Sequence, residues 1–128
     1  MARLKRFSRN TVNVSKLILA VRSLAAAFPD FIYEKPNKDS MCLYKRTRQP
    51  GGEMSGCIIG EALRKTGVST AGLDKAASSG INYQLDRVGL LPEDARQSVW
   101  LAEVQSEQDS GHTWAEAVRI ADQNAPLA

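Results

Sequence analysis

Few side chains in this sequence could do chemistry. It has one histidine, His112, and two cysteines, Cys42 and Cys57, which are separated by fourteen residues. A structural zinc site usually takes four soft ligands, and this chain offers three that lie far apart in sequence. Two thiols are also too few for a disulfide framework. The sequence therefore predicts reduced, partly buried thiols, with no metal site and no cofactor.

Cys57 is the best candidate for a catalytic nucleophile, because it directly precedes a predicted helix and helix N-termini activate thiols. The neighbouring Ile58 and Ile59 predict burial instead, and buried thiols are inert. His112 stands between a glycine and a threonine in a predicted loop, with no nucleophile beside it. We therefore predict that the protein is not an enzyme, and an enzyme that uses Cys57 is the third hypothesis.

Two short motifs suggest binding of phosphate or DNA. Gly51, Gly52 and Gly56 precede a helix, but the spacing of a phosphate-binding loop and its following Lys-Ser or Lys-Thr pair are absent. Residues 60–69 resemble the first half of a helix-turn-helix with Gly67 at the turn. The second helix, over 70–77, would carry one basic residue, so two packed structural helices are the alternative.

The charge is distributed unevenly along the chain. The net charge is +3, but residues 1–64 carry 12 Lys/Arg against 5 Asp/Glu, and residues 65–128 carry 5 against 9. This asymmetry favours an anionic partner for the first half, or attraction between the halves of two copies. The basic residues that could contact a partner or a nucleic acid are Arg3, Lys5, Arg6, Arg9, Lys45, Arg46 and Arg48.

The first half of the chain predicts an arm, a helix and a hairpin. Residues 1–10 form a basic and flexible arm, and Ser15 caps a helix that ends at about Phe28, before Pro29. Its apolar side comprises Val14, Leu17, Ile18, Val21, Leu24, Ala25 and Phe28. Strands over 31–35 and 41–45 form an antiparallel hairpin. A flexible loop over 46–55 follows.

The second half predicts short helices and a closing helical pair. One helix runs from about residue 57 to Lys65 with Gly67 as its C-terminal cap. A shorter helix covers 69–80, and a helical or irregular stretch covers 81–89. A longer helix runs from Pro92 to about Gln108. Its predicted inward residues are Ala95, Val99, Trp100 and Val104. A capping box at residues 113–116 begins the last helix.

The break between these last two helices is short, so we expect an αα-hairpin in which Trp100 and Trp114 are close together. The predicted fold is α+β, mostly helical, with one small antiparallel β-hairpin. One domain spans residues 11–124, and a tail follows over 125–128. No apolar run is long enough to span a bilayer, so no membrane partner is expected.

The stretch from Cys57 to Leu63, preceded by a strand at 42–44 and followed by Gly67-Val68, resembles small actinobacterial bacteriophage proteins, especially those of mycobacteriophages. The stretch from Gln105 to Val118 resembles their C-terminal signature. The resemblance covers about residues 28–122 and brings no known activity with it. It implies a phage origin, a place among small accessory genes and a cytoplasmic location in the infected bacterial host.

These motifs also have a structural interpretation. Gly60 permits close helix packing, Gly111 stops a helix, and the side chains of Gln108 and Asp109 fix the corner of the hairpin by hydrogen bonds. The full set of residues for which we predict a structural role is Cys57, Gly60, Gly67, Trp100, Gln108, Asp109, Gly111 and Trp114.

The first functional hypothesis is a non-enzymatic interaction or regulatory protein that binds a host or phage protein, or assembles with itself. It is motivated by the lack of catalytic groups, the divided charge and the phage-like motifs. The alternative is a DNA- or RNA-binding regulator that uses the basic N-terminal half, since basic arms track phosphates.

Overall fold

Helices form most of the fold in this computed structural model, which describes residues 13–36, 43–76 and 80–128. The described elements are α1 (Val14–Ala27), β1 (Thr47–Arg48), β2 (Met54–Ser55), α2 (Ile58–Lys65), a 3-10 turn (Leu73–Ala76), α3 (Ile81–Arg87), α4 (Ala95–Asp109) and α5 (Trp114–Asn124). A mostly helical α+β fold with a packed C-terminal helix pair is confirmed. None of the described helices is both long and apolar enough to cross a membrane.

Helix α1 packs against α2, α4 and α5 and contributes much of the core. The side chain of Asn13 caps it by accepting a hydrogen bond from the Lys16 N–H, so the prediction that Ser15 is the cap is wrong. The Ser15 hydroxyl instead donates to Glu93. The predicted apolar side is buried over most of its length, but Phe28, at its end, is 55% exposed.

The small antiparallel sheet forms where the sequence predicted a loop. Thr47 pairs with Ser55 and Arg48 with Met54, and the turn between these strands contains Gly52 at φ +94°. A positive φ strains any residue with a Cβ, which explains a glycine there. The predicted pairing of 31–35 with 41–45 is not seen among the described residues, and Met41 and Cys42 lie outside them.

Residues 31–35 are not paired in a β-sheet. Side-chain hydrogen bonds anchor them instead. Gln49, which is buried, accepts a hydrogen bond from the Glu34 N–H and donates to the Glu34 carbonyl. The hydroxyl of Tyr33 accepts from the Leu43 N–H. The β-forming residues of this segment are thus anchored through buried polar contacts, and the hairpin forms further along the chain.

The predicted helix-turn-helix does not form over residues 60–76. Gly67, at φ +86°, ends α2, and the Val68 N–H bonds back to the Leu63 carbonyl. The element that follows is a single 3-10 turn of four residues, Leu73–Ala76. Its Asp74 carboxylate accepts hydrogen bonds from the backbone N–H groups of Tyr44 and Lys45. This turn therefore stabilises the loop at residues 43–45 and cannot serve as a recognition helix.

The C-terminal helical hairpin is confirmed, with its stop and its start as predicted. Gly111 has φ +100° and donates to the Gln108 carbonyl, while the His112 N–H bonds to Glu107. These two bonds form a Schellman motif, which satisfies the last carbonyls of α4. Thr113 and Glu116 then form both halves of the capping box of α5.

Two details of α4 differ from the prediction. The helix begins at Ala95 rather than at Pro92, because the Asp94 side chain caps it through the Arg96 N–H. Ala95 and Val99 face solvent, with Val99 56% exposed, whereas Trp100 and Val104 are buried as predicted.

The two tryptophans lie at opposite ends of the hairpin and not side by side. The indole N–H of Trp100 donates to Asp122, near the end of α5, whereas that of Trp114 donates to Gln108 at the corner. Asp122 is eight residues beyond Trp114, which is about 12 Å along a helix. Each tryptophan therefore links α4 to α5 by a hydrogen bond at one end of the hairpin.

Candidate functional site

Of the predicted contact residues on the folded body, Arg46 and Arg48 make internal side-chain bonds. Arg3, Lys5, Arg6 and Arg9 lie outside the described residues. Arg46 donates to both carboxylate oxygens of Glu61. Arg48 donates to the Gly52 carbonyl, and the Lys45 side chain is exposed.

The positive charge of the first half is divided between residues 1–12 and the folded body, where residues 13–36 and 43–64 carry 7 Lys/Arg against 4 Asp/Glu. The described residues carry 12 Lys/Arg and 13 Asp/Glu, a net charge of −1. Residues 1–12 carry four cations and no carboxylate. The segment before α1 thus supplies four of the seven excess positive charges of residues 1–64.

Cys57 has no exposed surface. It stands at the N-cap of α2, and its side chain makes no capping hydrogen bond. His112 contacts Glu107 and Glu116, with nitrogen–oxygen distances of 3.4 Å to each. Within the described ranges, no group of three or more His, Cys, Asp or Glu side chains could hold a metal ion.

Gly60 lies against the backbone of Tyr44, and not against another helix as the sequence predicted. A Cβ built on Gly60 would be 2.5 Å from the Tyr44 carbonyl oxygen and 2.9 Å from its Cα. A Cβ on Gly56 would meet the same carbonyl. These two glycines allow the loop at residues 43–45 to lie directly on the start of α2.

Replacing Gly60 by alanine is expected to destabilise the protein by about 1–3 kcal/mol, because backbone atoms would have to move. Helix propensity alone predicts the opposite, a gain of about 1 kcal/mol. Gly80→Ala, at the N-cap of α3, is the control for an unobstructed methyl group, since a Cβ there meets nothing within 4 Å. Denaturant unfolding of both variants checks this, and a Gly60→Ala protein as stable as the wild type would contradict the close approach.

An open groove of about 610 Å³ lies between α1, β2, α2 and the start of α5. Its lining comprises Leu24, Phe28, Phe31, Arg46, Glu53, Met54, Ser55, Glu61, Arg64, Lys65 and Trp114. We call it the α1–α2 groove. One part of its wall is apolar and another is charged, so it is amphipathic.

The apolar wall is built on the indole of Trp114. Phe31 meets this ring edge-on at a centroid distance of 4.7 Å, and Phe28 does so at 6.4 Å. Trp114 itself is only 3% exposed, whereas Phe28 and Met54 are 55% and 51% exposed. The Trp114 ring is thus fixed by packing at the base of the apolar wall. The side chains of Phe28 and Met54 at its rim are exposed and accessible to a partner.

The charged wall is organised around Glu61. Its carboxylate accepts from Arg46 at 2.9 Å, from Arg64 at 2.6 Å and from the Gly56 N–H at 2.8 Å. The Glu61 side chain is 11% exposed and that of Arg46 is 54% exposed. Burial raises the pKa of the Glu61 carboxyl, but the hydrogen bonds from Arg46, Gly56 and Arg64 outweigh burial, and the net pKa shift is downward.

A lowered pKa in the folded state means that ionised Glu61 stabilises the fold above its unfolded pKa, and that this stabilisation is lost as pH falls through the folded pKa. We expect Glu61→Gln to cost about 1–3 kcal/mol at neutral pH, since two guanidinium groups lose their carboxylate. We also expect this variant to show a weaker loss of stability on acidification.

Urea unfolding at neutral and acidic pH measures both effects. Glu34→Gln is the control, because the Glu34 side chain is exposed and surface changes cost about 0.5 kcal/mol or less. Equal pH profiles for the wild type and Glu61→Gln would show that this carboxylate does not contribute to acid sensitivity.

The sequence interpretation singled out Arg46 and Trp114 but did not show that they share a groove, and it missed most of the other lining residues. It placed Phe28 on the buried side of α1 and gave Glu61 and Met54 no role. One signal was present, since Phe28 directly precedes Pro29 at the end of a helix and a terminal residue is less enclosed. Nothing local indicated that β2 and α5 meet at that point.

A scan against protein-family models, a search of curated proteins and a search of solved structures returned no match. The resemblance to actinobacterial phage proteins stays a prediction.

Proposed function

We propose that this is a non-enzymatic interaction protein that binds an apolar segment of another protein in the α1–α2 groove. The observation that carries the proposal is the half-exposure of Phe28 and Met54 on a wall fixed by Trp114. Large apolar side chains grouped at a depression mark interaction sites more often than scattered ones do. Burying the exposed halves of these two side chains would contribute about 1 kcal/mol each.

The surroundings of the groove support binding rather than catalysis. Its titratable side chains are Glu53, Glu61 and three cations, and the geometry of Glu61 is that of a structural ion pair. Cys57 and His112 do not line it. From the resemblance to phage proteins we further propose that the protein is phage-encoded. It would bind a host or phage protein in the cytoplasm of the infected bacterium.

Cross-linking from inside cells tests the proposal. A photoreactive phenylalanine analogue at position 28 should yield a discrete protein adduct in the bacterial host. The same analogue at position 91 should not, because Leu91 is 72% exposed but lies outside the groove. Equal adducts at both positions, or none at position 28, would overturn groove binding.

The second candidate function is binding of DNA or RNA, favoured by the four cations of residues 1–12. A gel shift at low and high salt tests it, since phosphate contacts weaken steeply as salt rises. We expect such binding to disappear when Arg3, Lys5, Arg6 and Arg9 are all changed to alanine. A shift that survives this change would place the contact on Lys45, Arg46 and Arg48 instead.

A further inference from the structure

The charged wall of the α1–α2 groove has more cations than its buried carboxylate can balance. Arg46 and Arg64 share Glu61, and Lys65 follows Arg64 on the same helix and lines the groove. Lys65 is exposed, with no ion pair to a described carboxylate within 4 Å. Glu53, at the rim, offsets part of this excess, so the lining as a whole carries a net charge of +1.

The sign of this charge restricts the occupant. The chain's own residues 1–12 carry four cations and no carboxylate, so this segment would be repelled by Arg46 and Lys65. An uncharged apolar segment would cover Phe28 and Met54 but would leave Lys65 without a counterion. A carboxylate beside the apolar anchors would satisfy both walls.

We infer that the α1–α2 groove takes an acidic amphipathic segment of a partner protein. Its apolar side chains cover Phe28, Met54 and the edge of Trp114, and one or two of its carboxylates face Lys65 and Arg46. On a helix, residues three or four positions apart share a face, so an apolar pair followed by Asp or Glu one turn later has the required arrangement. This inference rests on the proposed function and specifies the chemistry of the partner.

Selection from a displayed library of short random peptides on the full chain tests the inference without knowledge of the natural partner. The enriched peptides are expected to combine at least two large apolar residues with a net negative charge. Their affinity for the wild type and for variants is then measured by fluorescence polarisation.

Charge variants provide the decisive comparison. Lys65→Glu is expected to weaken an enriched peptide about three- to tenfold at low salt, and less at high salt, where surface charges are screened. Lys75→Glu makes the same charge change at an exposed site outside the groove and should have little effect. Glu53→Gln should strengthen binding about twofold, because it removes the opposing charge.

Apolar variants show whether the peptides occupy this groove. Phe28→Ser should abolish most of the binding, whereas Leu91→Ser, which removes a more exposed apolar side chain elsewhere, should not. Circular dichroism of each variant separates loss of binding from loss of folding.

Three results would overturn the inference. Neutral or basic peptides that depend on Phe28 would retain the groove as a binding site but refute the acidic partner. A complete lack of enrichment would also refute it, while the cross-linking at position 28 decides the proposed function separately. Light scattering that shows a dimer lost in Phe28→Ser would make the occupant a second copy.

Discussion

Replacing Trp114 by alanine is expected to lower the free energy of unfolding by about 3–5 kcal/mol, as large core truncations do. The ring is 3% exposed, packs against Phe31 and Phe28, and donates a hydrogen bond to Gln108. It also occupies the first position of α5, whose backbone N–H groups at residues 114 and 115 bond to the carbonyls of Phe31 and Pro29. The substitution would remove the packing on which both the groove and the helix start depend.

Chemical denaturation of Trp114→Ala, Trp114→Phe and Tyr83→Ala measures this effect. Trp114→Phe keeps an aromatic ring but loses the indole N–H, so an intermediate loss of about 1–2 kcal/mol is expected. Tyr83 is 46% exposed, and its removal should cost about 0.5 kcal/mol or less. A Trp114→Ala protein as stable as Tyr83→Ala would show that the corner is not part of the cooperative core.

The C-terminal hairpin could be predicted because its signals are local. Thr113 and Glu116 stand three residues apart, and Gly111 stands two residues after the end of the preceding helix, so neither signal depends on distant parts of the chain. The end of α2 is equally local, with Gly67 in the same role. Capping motifs of this kind stabilise a helix end whatever the rest of the fold does.

The position of the β-hairpin could not be predicted in the same way. Residues 36–40 and 50–52 are both rich in turn formers, and both are flanked by residues that can form strands. The choice depends on tertiary contacts, since Tyr33 and Tyr44 are buried in the core and Gln49 binds the backbone of Glu34. Strand propensity describes a half-buried pleated surface, and neither residues 31–35 nor residues 43–45 form one.

The groove was beyond local prediction because four elements meet there. Phe28 belongs to the end of α1, Met54 to β2, Glu61 to α2 and Trp114 to α5. Periodicity correctly assigned most of the buried side of α1, but it cannot show where a helix face extends past its neighbours. Phe28 therefore looked like a core residue and is in fact half open to solvent.

Gln108 has a connecting role that the sequence indicated only in part. At the hairpin corner its carbonyl oxygen accepts from the Trp114 indole N–H and its amide donates to Asp109. The same oxygen also accepts from the Ile58 N–H, fifty residues away, at 2.8 Å. Cysteine is a poor N-cap, and Cys57 makes no side-chain capping bond. Gln108 thus provides an acceptor for the first of the N–H groups at the start of α2 that have no partner within the helix.

Gln108→Ala is therefore expected to cost about 2–5 kcal/mol, because two buried donors, the Ile58 N–H and the Trp114 indole N–H, lose one shared acceptor. Gln123→Ala removes the same side chain from an exposed site on α5 and should cost about 0.5 kcal/mol or less. Thermal and urea unfolding of both variants provide the comparison.

A double-mutant cycle with Trp114→Phe distinguishes the hydrogen bonds from simple loss of volume. In the Trp114→Phe background one of the two donors is already absent, so Gln108→Ala should cost about 1 kcal/mol less than in the wild type. The remaining cost would then reflect the Ile58 N–H and the cavity. If the two substitutions were strictly additive, the shared acceptor would not couple α2 to the hairpin corner, and the stability of α2 would have to come from its apolar face alone.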